Sequence, residues 1–298
     1  MQRQALFVSV FTAVMLTLPA RAADGASGIM QVRWGKNAFN FEGMPSGPQP
    51  LRNLSRLPNG KANAARLVGD YNNPILTPEA AAVVKQKGEL AIAGKGFPNA
   101  YDQCRLITPP STFAMQLTFA MLPLKNGDIA IVYDQNMNFR HIRMNGAHPT
   151  NLVPSPMGNS VGHWEGDTLV VDTVGIQTDA FTQIDRFGTP QSEAMHIVER
   201  YRLIDGAVAK AQIDKFETSE GTVGGGGRIA GYNPDTSLKG LQLEVTMEDA
   251  KVFTTPLTAR VTYRPLISEW QESVCADNPM DHYPGEWIGL PRADHPDF

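Results

Sequence analysis

Val161-Gly162-His163-Trp164-Glu165-Gly166-Asp167-Thr168-Leu169-Val170-Val171-Asp172 decides the fold. Two short β-prone runs flank Gly166-Asp167. That pair is a strong two-residue hairpin signal, because the tight turn requires positive φ and Gly adopts it without steric cost. The register follows. Glu165 falls opposite Thr168, Trp164 opposite Leu169 and His163 opposite Val170. Alternation puts Gly162, Trp164, Leu169 and Val171 on one face. His163, Glu165, Thr168, Val170 and Asp172 take the other.

Downstream of the hairpin, residues 195–204 fit two periods. As a helix, Ala194, Ile197, Val198, Tyr201 and Ile204 form an apolar stripe; as a strand, Met195, Ile197, Tyr201 and Leu203 do. The preceding Thr189-Pro190 and the strands on either side favour the strand. Residues 205–238 read as an insertion, with a helix over 207–218 and a flexible loop at Gly224–Gly227. No Lys-Ser/Thr follows those glycines, so they are not a phosphate loop. Three further strands alternate. Leu241, Leu243, Val245 and Met247 share a face, as do Leu257, Ala259, Val261 and Tyr263, and then Trp270, Glu272 and Val274.

Upstream, residues 139–144 form one strand candidate and 128–134 another. The second follows an Asn126-Gly127 turn and aligns Ile129, Ile131 and Tyr133. Residues 113–120 are ambiguous. Thr77-Pro78-Glu79 opens a helix with a capping hydroxyl, a first-turn Pro and an acidic residue at the positive end of the dipole, and Gly88 is expected to end it. Residues 23–69 read as an extended arm that Trp34, Phe39 and Phe41 lay against the body. Eight or nine one-sided strands with short connections predict an all-β, antiparallel meander, closed as a barrel or folded as a sandwich.

The expected organisation is a signal peptide at 1–22, an arm with one short helix at 23–110, and a β-domain at 111–278 containing the 205–238 insertion. A wrapping tail at 279–298 completes it. The signal peptide rests on Arg3, an apolar run over 5–18 and the small-x-small site Ala20-Arg21-Ala22, with cleavage before Ala23. The alternative is an uncleaved anchor. Cleavage would leave no integral membrane segment and a periplasmic or secreted product. In that oxidising setting Cys104 and Cys275 are expected to pair, the alternative being two separate thiols. A net charge of −4 without any basic block argues against nucleic-acid binding.

Two carboxylates break otherwise apolar faces: Glu199, between Ile197 and Tyr201, and Glu272, between Trp270 and Val274. An inward carboxylate must be paired, hydrogen-bonded or neutral, because an isolated buried charge is very costly. One reading makes them acid/base groups or polar ligand anchors; the other pairs each with an Arg such as Arg140, Arg143 or Arg200. His148, before Pro149, is a candidate third polar group at a barrel mouth. Trp164, Tyr201, Trp270, Tyr263 and Arg143 are candidate ligand contacts, and Phe253 adds aromatic surface. His163 and Asp172 share a face and are a candidate orienting pair. None of the six histidines falls in an HExxH or HxH pattern, so neither metal nor cofactor is expected from spacing. Ser160 and Ser192 lack nucleophile-elbow context.

Several motifs recur together and in order: Arg140–Gly146, His148-Pro149, Ser160–Asp172, Glu193–Tyr201, and Glu269-Trp270 through Val274-Cys275. They resemble those of a large group of secreted bacterial hypothetical proteins, over roughly residues 67–278. The resemblance implies a lipocalin-like (calycin-type) antiparallel β-barrel. It implies no established reaction.

Three functional readings follow. The first is an exported barrel that binds a small apolar or aromatic molecule in its interior, with Glu199, Glu272 and His148 as polar anchors. The second is a cofactor-free lyase, hydratase or isomerase in the same cavity. The third is a structural, envelope-interaction protein with a solid core.

Overall fold

Gly166 turns the central hairpin with φ of 62°, the left-handed conformation that the sequence requires there. Strands β5 (Asn159–Glu165) and β6 (Thr168–Val174) pair with Glu165 opposite Thr168, Trp164 opposite Leu169 and His163 opposite Val170. In the computed structural model, the described residues are 28–30, 32–35, 69–93, 99–100, 104–114, 117–134, 138–220 and 233–267.

Around that hairpin the chain closes a barrel. Its other strands are β1 (Arg33–Gly35), β2 (Phe119–Pro123), β3 (Ile129–Tyr133), β4 (Phe139–Met144), β7 (His196–Ile204), β8 (Gly240–Glu248) and β9 (Leu257–Pro265). Spatial order follows sequence order, and β1 joins β2 to β9 to complete the ring. The three-residue strand β1 comes from the stretch read as an irregular arm. It buries Trp34, whose indole Nε1 donates to the Ile29 carbonyl at 3.1 Å.

The expectation of a purely antiparallel barrel is corrected at one seam. β4 and β5 run parallel, with Ile142 opposite Ser160 and Met144 opposite Gly162. A parallel neighbour cannot be reached by a tight turn, so residues 145–158 form a crossover back along the barrel. Gly162 faces inward at this seam. A Cβ there would come within 2.8 Å of Ile142 Cγ2 and 2.9 Å of Met144 Sδ, so any larger residue would have to push those side chains aside.

Residues 195–204 take the strand reading. Ile197, Glu199, Tyr201 and Leu203 of β7 face inward, opposite Met247, Val245, Leu243 and Leu241 of β8. Inward residues are apolar on nearly every strand, while the outside carries His141, Arg143, His163, Asp172 and Arg200. This is the reverse of a lipid-facing barrel, whose outer band is apolar. No described helix is long and apolar enough to cross a membrane.

Among the described residues three helices decorate the barrel. α1 (Pro78–Ile92) is capped as predicted, the Thr77 hydroxyl accepting from the Ala80 N–H at 3.2 Å. It runs past Gly88 because that glycine is buried in mid-helix and Glu89 to Ile92 are competent helix formers. Thr77→Ala is expected to cost about 1 kcal/mol. Its Oγ1 also donates to Lys251 O at 2.9 Å, so the loss should appear as a lower urea midpoint for the whole chain, not only as fraying of α1.

The ambiguous 113–120 stretch divides between the short helix α2 (Ser111–Ala114) and β2. α3 (Gly206–Glu220) occupies the insertion and docks on the outer face of β8 and β9. Gln212 there accepts hydrogen bonds from Gln242 and Thr262.

Candidate functional site

Glu199 is the charged residue that the sequence placed among apolar neighbours, and it points into the barrel with no exposed surface. The opposing charge comes from Arg140 on β4. The β3–β4 register sets Arg140 beside Ile131, which turns the guanidinium inward. Arg140 Nη1 donates to Glu199 Oε2 at 2.8 Å, and Nη2 donates to Oε1 to complete a two-pronged pair.

The remaining polar atoms are matched as well. Arg140 Nε donates to Ser160 Oγ at 3.0 Å and Nη2 to Thr173 Oγ1 at 2.6 Å. The Tyr201 hydroxyl donates to Glu199 Oε2 at 2.6 Å. Ser160 and Thr173 lie opposite each other on β5 and β6, their hydroxyl oxygens 3.1 Å apart. Four strands, β4 to β7, therefore each contribute to one buried polar knot.

Aromatic rings surround it. Phe119 packs edge-on to Tyr263 at 5.0 Å and contacts Tyr133 and Tyr201 at 6.0 and 6.4 Å. Phe113 of α2 lies 5.8 Å from the Arg140 guanidinium carbon. Burial pushes the Tyr201 phenol well above its ordinary pKa, and the Glu199 charge pushes the same way. Burial raises Tyr133 and Tyr263 likewise. All three phenols are thus neutral donors at physiological pH. For Arg140, burial alone would lower the pKa. The Glu199 charge and its hydrogen bonds outweigh that and hold the guanidinium above its usual range.

The other candidate residues scatter. Tyr201 and Tyr263 belong to this core. Trp164 faces inward but is only partly buried, as are Met144 and Leu203. Phe253 is buried beyond β8, bridged to Leu76 ahead of α1. Arg143 faces outward and donates to Asn159 Oδ1 at 2.9 Å and Ala147 O at 3.0 Å. His148 is also outside, on the crossover, with Nε2 2.8 Å from Asp172 Oδ1. Glu272, Trp270 and Cys275, like residues 1–22, lie outside the described residues.

His163 does not orient on Asp172. It takes Glu165 at 3.1 Å, and Glu165 is also bound by Arg200. Asp172 is held instead by His148 and His196. That arrangement escapes strand periodicity, because His148 arrives from a crossover whose path depends on the parallel seam. Among the described residues no cluster of His, Cys, Asp and Glu has metal-binding geometry. A cleft lined by Asn99, Ala100, Ile107, Thr108, Ser111 and Phe181–Gln183 shares no residue with the Glu199 knot.

The fold and its interior define a closed, mixed nine-stranded β-barrel built around a buried ion pair. No protein-family model, curated protein or solved structure matches the chain.

Proposed function

We propose that the protein is an exported β-barrel with a packed interior that acts through its outside, as a structural or envelope-interaction protein. The observation supporting this reading is the saturation of Glu199. Both of its oxygens are engaged, by Arg140, Tyr201 and Thr173, and it has no exposed surface. A general base needs a lone pair within hydrogen-bond reach of the proton it removes. A ligand anchor at Glu199 would first have to displace a two-pronged guanidinium. Neither the interior enzyme nor an interior ligand held by Glu199 fits that geometry.

Export belongs to the proposal, on the strength of the leader-like first 22 residues, as does the resemblance to secreted bacterial proteins. A Cys104–Cys275 bridge belongs to it too; by chain-entropy arguments such a long loop would contribute roughly 4–5 kcal/mol.

A second reading keeps one observation in its favour. Trp164, Met144 and Leu203 face inward yet stay partly exposed, leaving apolar surface where a small aromatic molecule could rest. Its ligand would be neutral, because Arg140 and Glu199 cancel. Displacement of an environment-sensitive hydrophobic dye, followed through Trp fluorescence, separates the two. The packed-core reading expects no saturable displacement by apolar or aromatic compounds. Saturable binding abolished by Trp164→Leu would replace it with the second reading.

A further inference from the structure

Asp172 lies on the outer face of β6, and two imidazoles from different elements point at its two oxygens. His148, on the 145–158 crossover, places Nε2 2.8 Å from Oδ1. His196, which opens β7, places Nε2 2.9 Å from Oδ2. The second nitrogen of His148 also meets an oxygen within hydrogen-bond reach, and that of His196 meets one only at ion-pair distance. His148 Nδ1 lies 2.8 Å from Asn159 Oδ1, and His196 Nδ1 lies 3.7 Å from Glu248 Oε2. Asn159 presents its oxygen there, because Arg143 Nη2 donates to the same atom at 2.9 Å.

A neutral imidazole has one N–H and one lone pair, so it can serve only one of two acceptors; an imidazolium serves both. His148 sits between two acceptors, and His196 between one acceptor and a second, more distant carboxylate. We propose that His148, Asp172 and His196 form a pH-responsive clasp that pins the β4–β5 crossover to the β6–β7 face. The clasp is tight when the rings are protonated and loose when they are neutral.

The crossover is where such a device matters. It must run the length of the barrel on the outside, and backbone hydrogen bonds fix it mainly toward its ends. Asn145 N donates to Gly162 O at 2.7 Å, and Ser155 N to Gly175 O at 3.1 Å. Between them Val153 stands 81% exposed, and His148 supplies a side-chain hold on the strands beneath. The charged groups facing the rings are Asp172 from β6, Glu248 from β8 and, through Asn159, Arg143 from β4. With both rings protonated, their charges balance the two carboxylates. With both neutral, the charges of Asp172 and Glu248 are no longer balanced by the rings, and the His148 Nδ1 lone pair opposes the Asn159 oxygen. The inference is independent of whether the barrel works from inside or outside.

Amide hydrogen exchange on the full mature chain at pH 5.5 and pH 8.0, corrected for intrinsic rates, tests it. The expected result is about a fivefold loss of protection at the Asn145 and Ser155 amides, which tie down the two ends of the crossover, at the higher pH, the scale of losing a charge-assisted hydrogen bond. Protection in the β8–β9 hairpin should not change. A His148→Gln/His196→Gln double variant should show no such step. Wild-type protection that is the same at both pH values overturns the proposal, whatever the variant does. So does a step that survives the double substitution.

Discussion

Arg140→Ala is expected to destabilise the protein by about 3–5 kcal/mol, which would consume much of a typical domain's stability. The loss does not measure an attraction between two charges. Glu199 would be left inside the barrel without its guanidinium, with the Tyr201 and Thr173 hydroxyls as its remaining partners. Removing both charges should hurt less than removing one. Arg140→Met with Glu199→Leu eliminates the uncompensated carboxylate and replaces both side chains with apolar volume. Such exchanges of buried pairs are often neutral or better. Here Tyr201, Ser160 and Thr173 would still lose partners, at about 1 kcal/mol each, so the double variant should sit below wild type but above Arg140→Ala. Urea denaturation of wild type, Arg140→Met, Glu199→Leu and the double variant gives the coupling energy directly, with Arg140→Ala measured beside them. Single effects that simply add, or an Arg140→Ala variant within about 1 kcal/mol of wild type, would refute the view of Glu199 as a captive charge.

The same pair shows how far sequence reaches. Glu199 was visible because strand alternation put it between Ile197 and Tyr201, and an inward carboxylate demands a partner. Arg140 was among the arginines named for that role, but alternation alone could not choose it over Arg143 or Arg200. The choice depends on the β3–β4 register, which turns Arg140 inward and leaves Arg143 outside. Ser160 is weighed in the sequence only as a nucleophile and Thr173 not at all, because an isolated Ser or Thr on a strand carries no signal for a buried partner. They become meaningful only when the hairpin register sets them face to face.

Local rules predicted local structure. Gly166-Asp167 fixed the hairpin register residue by residue, and Thr77-Pro78-Glu79 fixed the start of α1. The parallel β4–β5 seam was illegible because it is a property of the connection. Residues 145–158 look like any turn-rich linker, and nothing in them declares that the chain reverses along the barrel before pairing. That omission hid the Asp172 cluster as well, since His148 reaches β6 only by that path. β1 was missed for a related reason. Three residues cannot show a period, and Trp34 in an arm marks contact without specifying a strand.

Arg264→Leu is expected to release the 205–238 insertion while leaving the barrel folded, at a cost of about 2–4 kcal/mol. Arg264 shares the outward side of β9 with Thr258, Arg260 and Thr262, where the sequence gives no reason to single it out. Yet it is fully buried, because the insertion covers it. Its hydrogen bonds among the described residues run to backbone carbonyls. Nη1 donates to Gly206 O at 2.8 Å and, more weakly, to Leu238 O; Nη2 donates to Asn233 O at 2.7 Å and Asp235 O at 2.6 Å. One planar fork thus ties the start of α3 to the segment that returns the chain to β8. Leucine fills part of the volume but removes the guanidinium's hydrogen bonds to those carbonyls, which can replace them with water only if the insertion lifts away. Lysine keeps the charge, but a single ammonium on a flexible stem cannot span both sides of the fork, so Arg264→Lys should restore less than half of the loss. Limited proteolysis within 205–238, set against the urea midpoint, separates local release from global unfolding. If Arg264→Leu left the cleavage rate unchanged, the guanidinium would not be what holds the insertion down. Lysine rescuing as well as arginine would show that charge, not the shape of the fork, is the operative property.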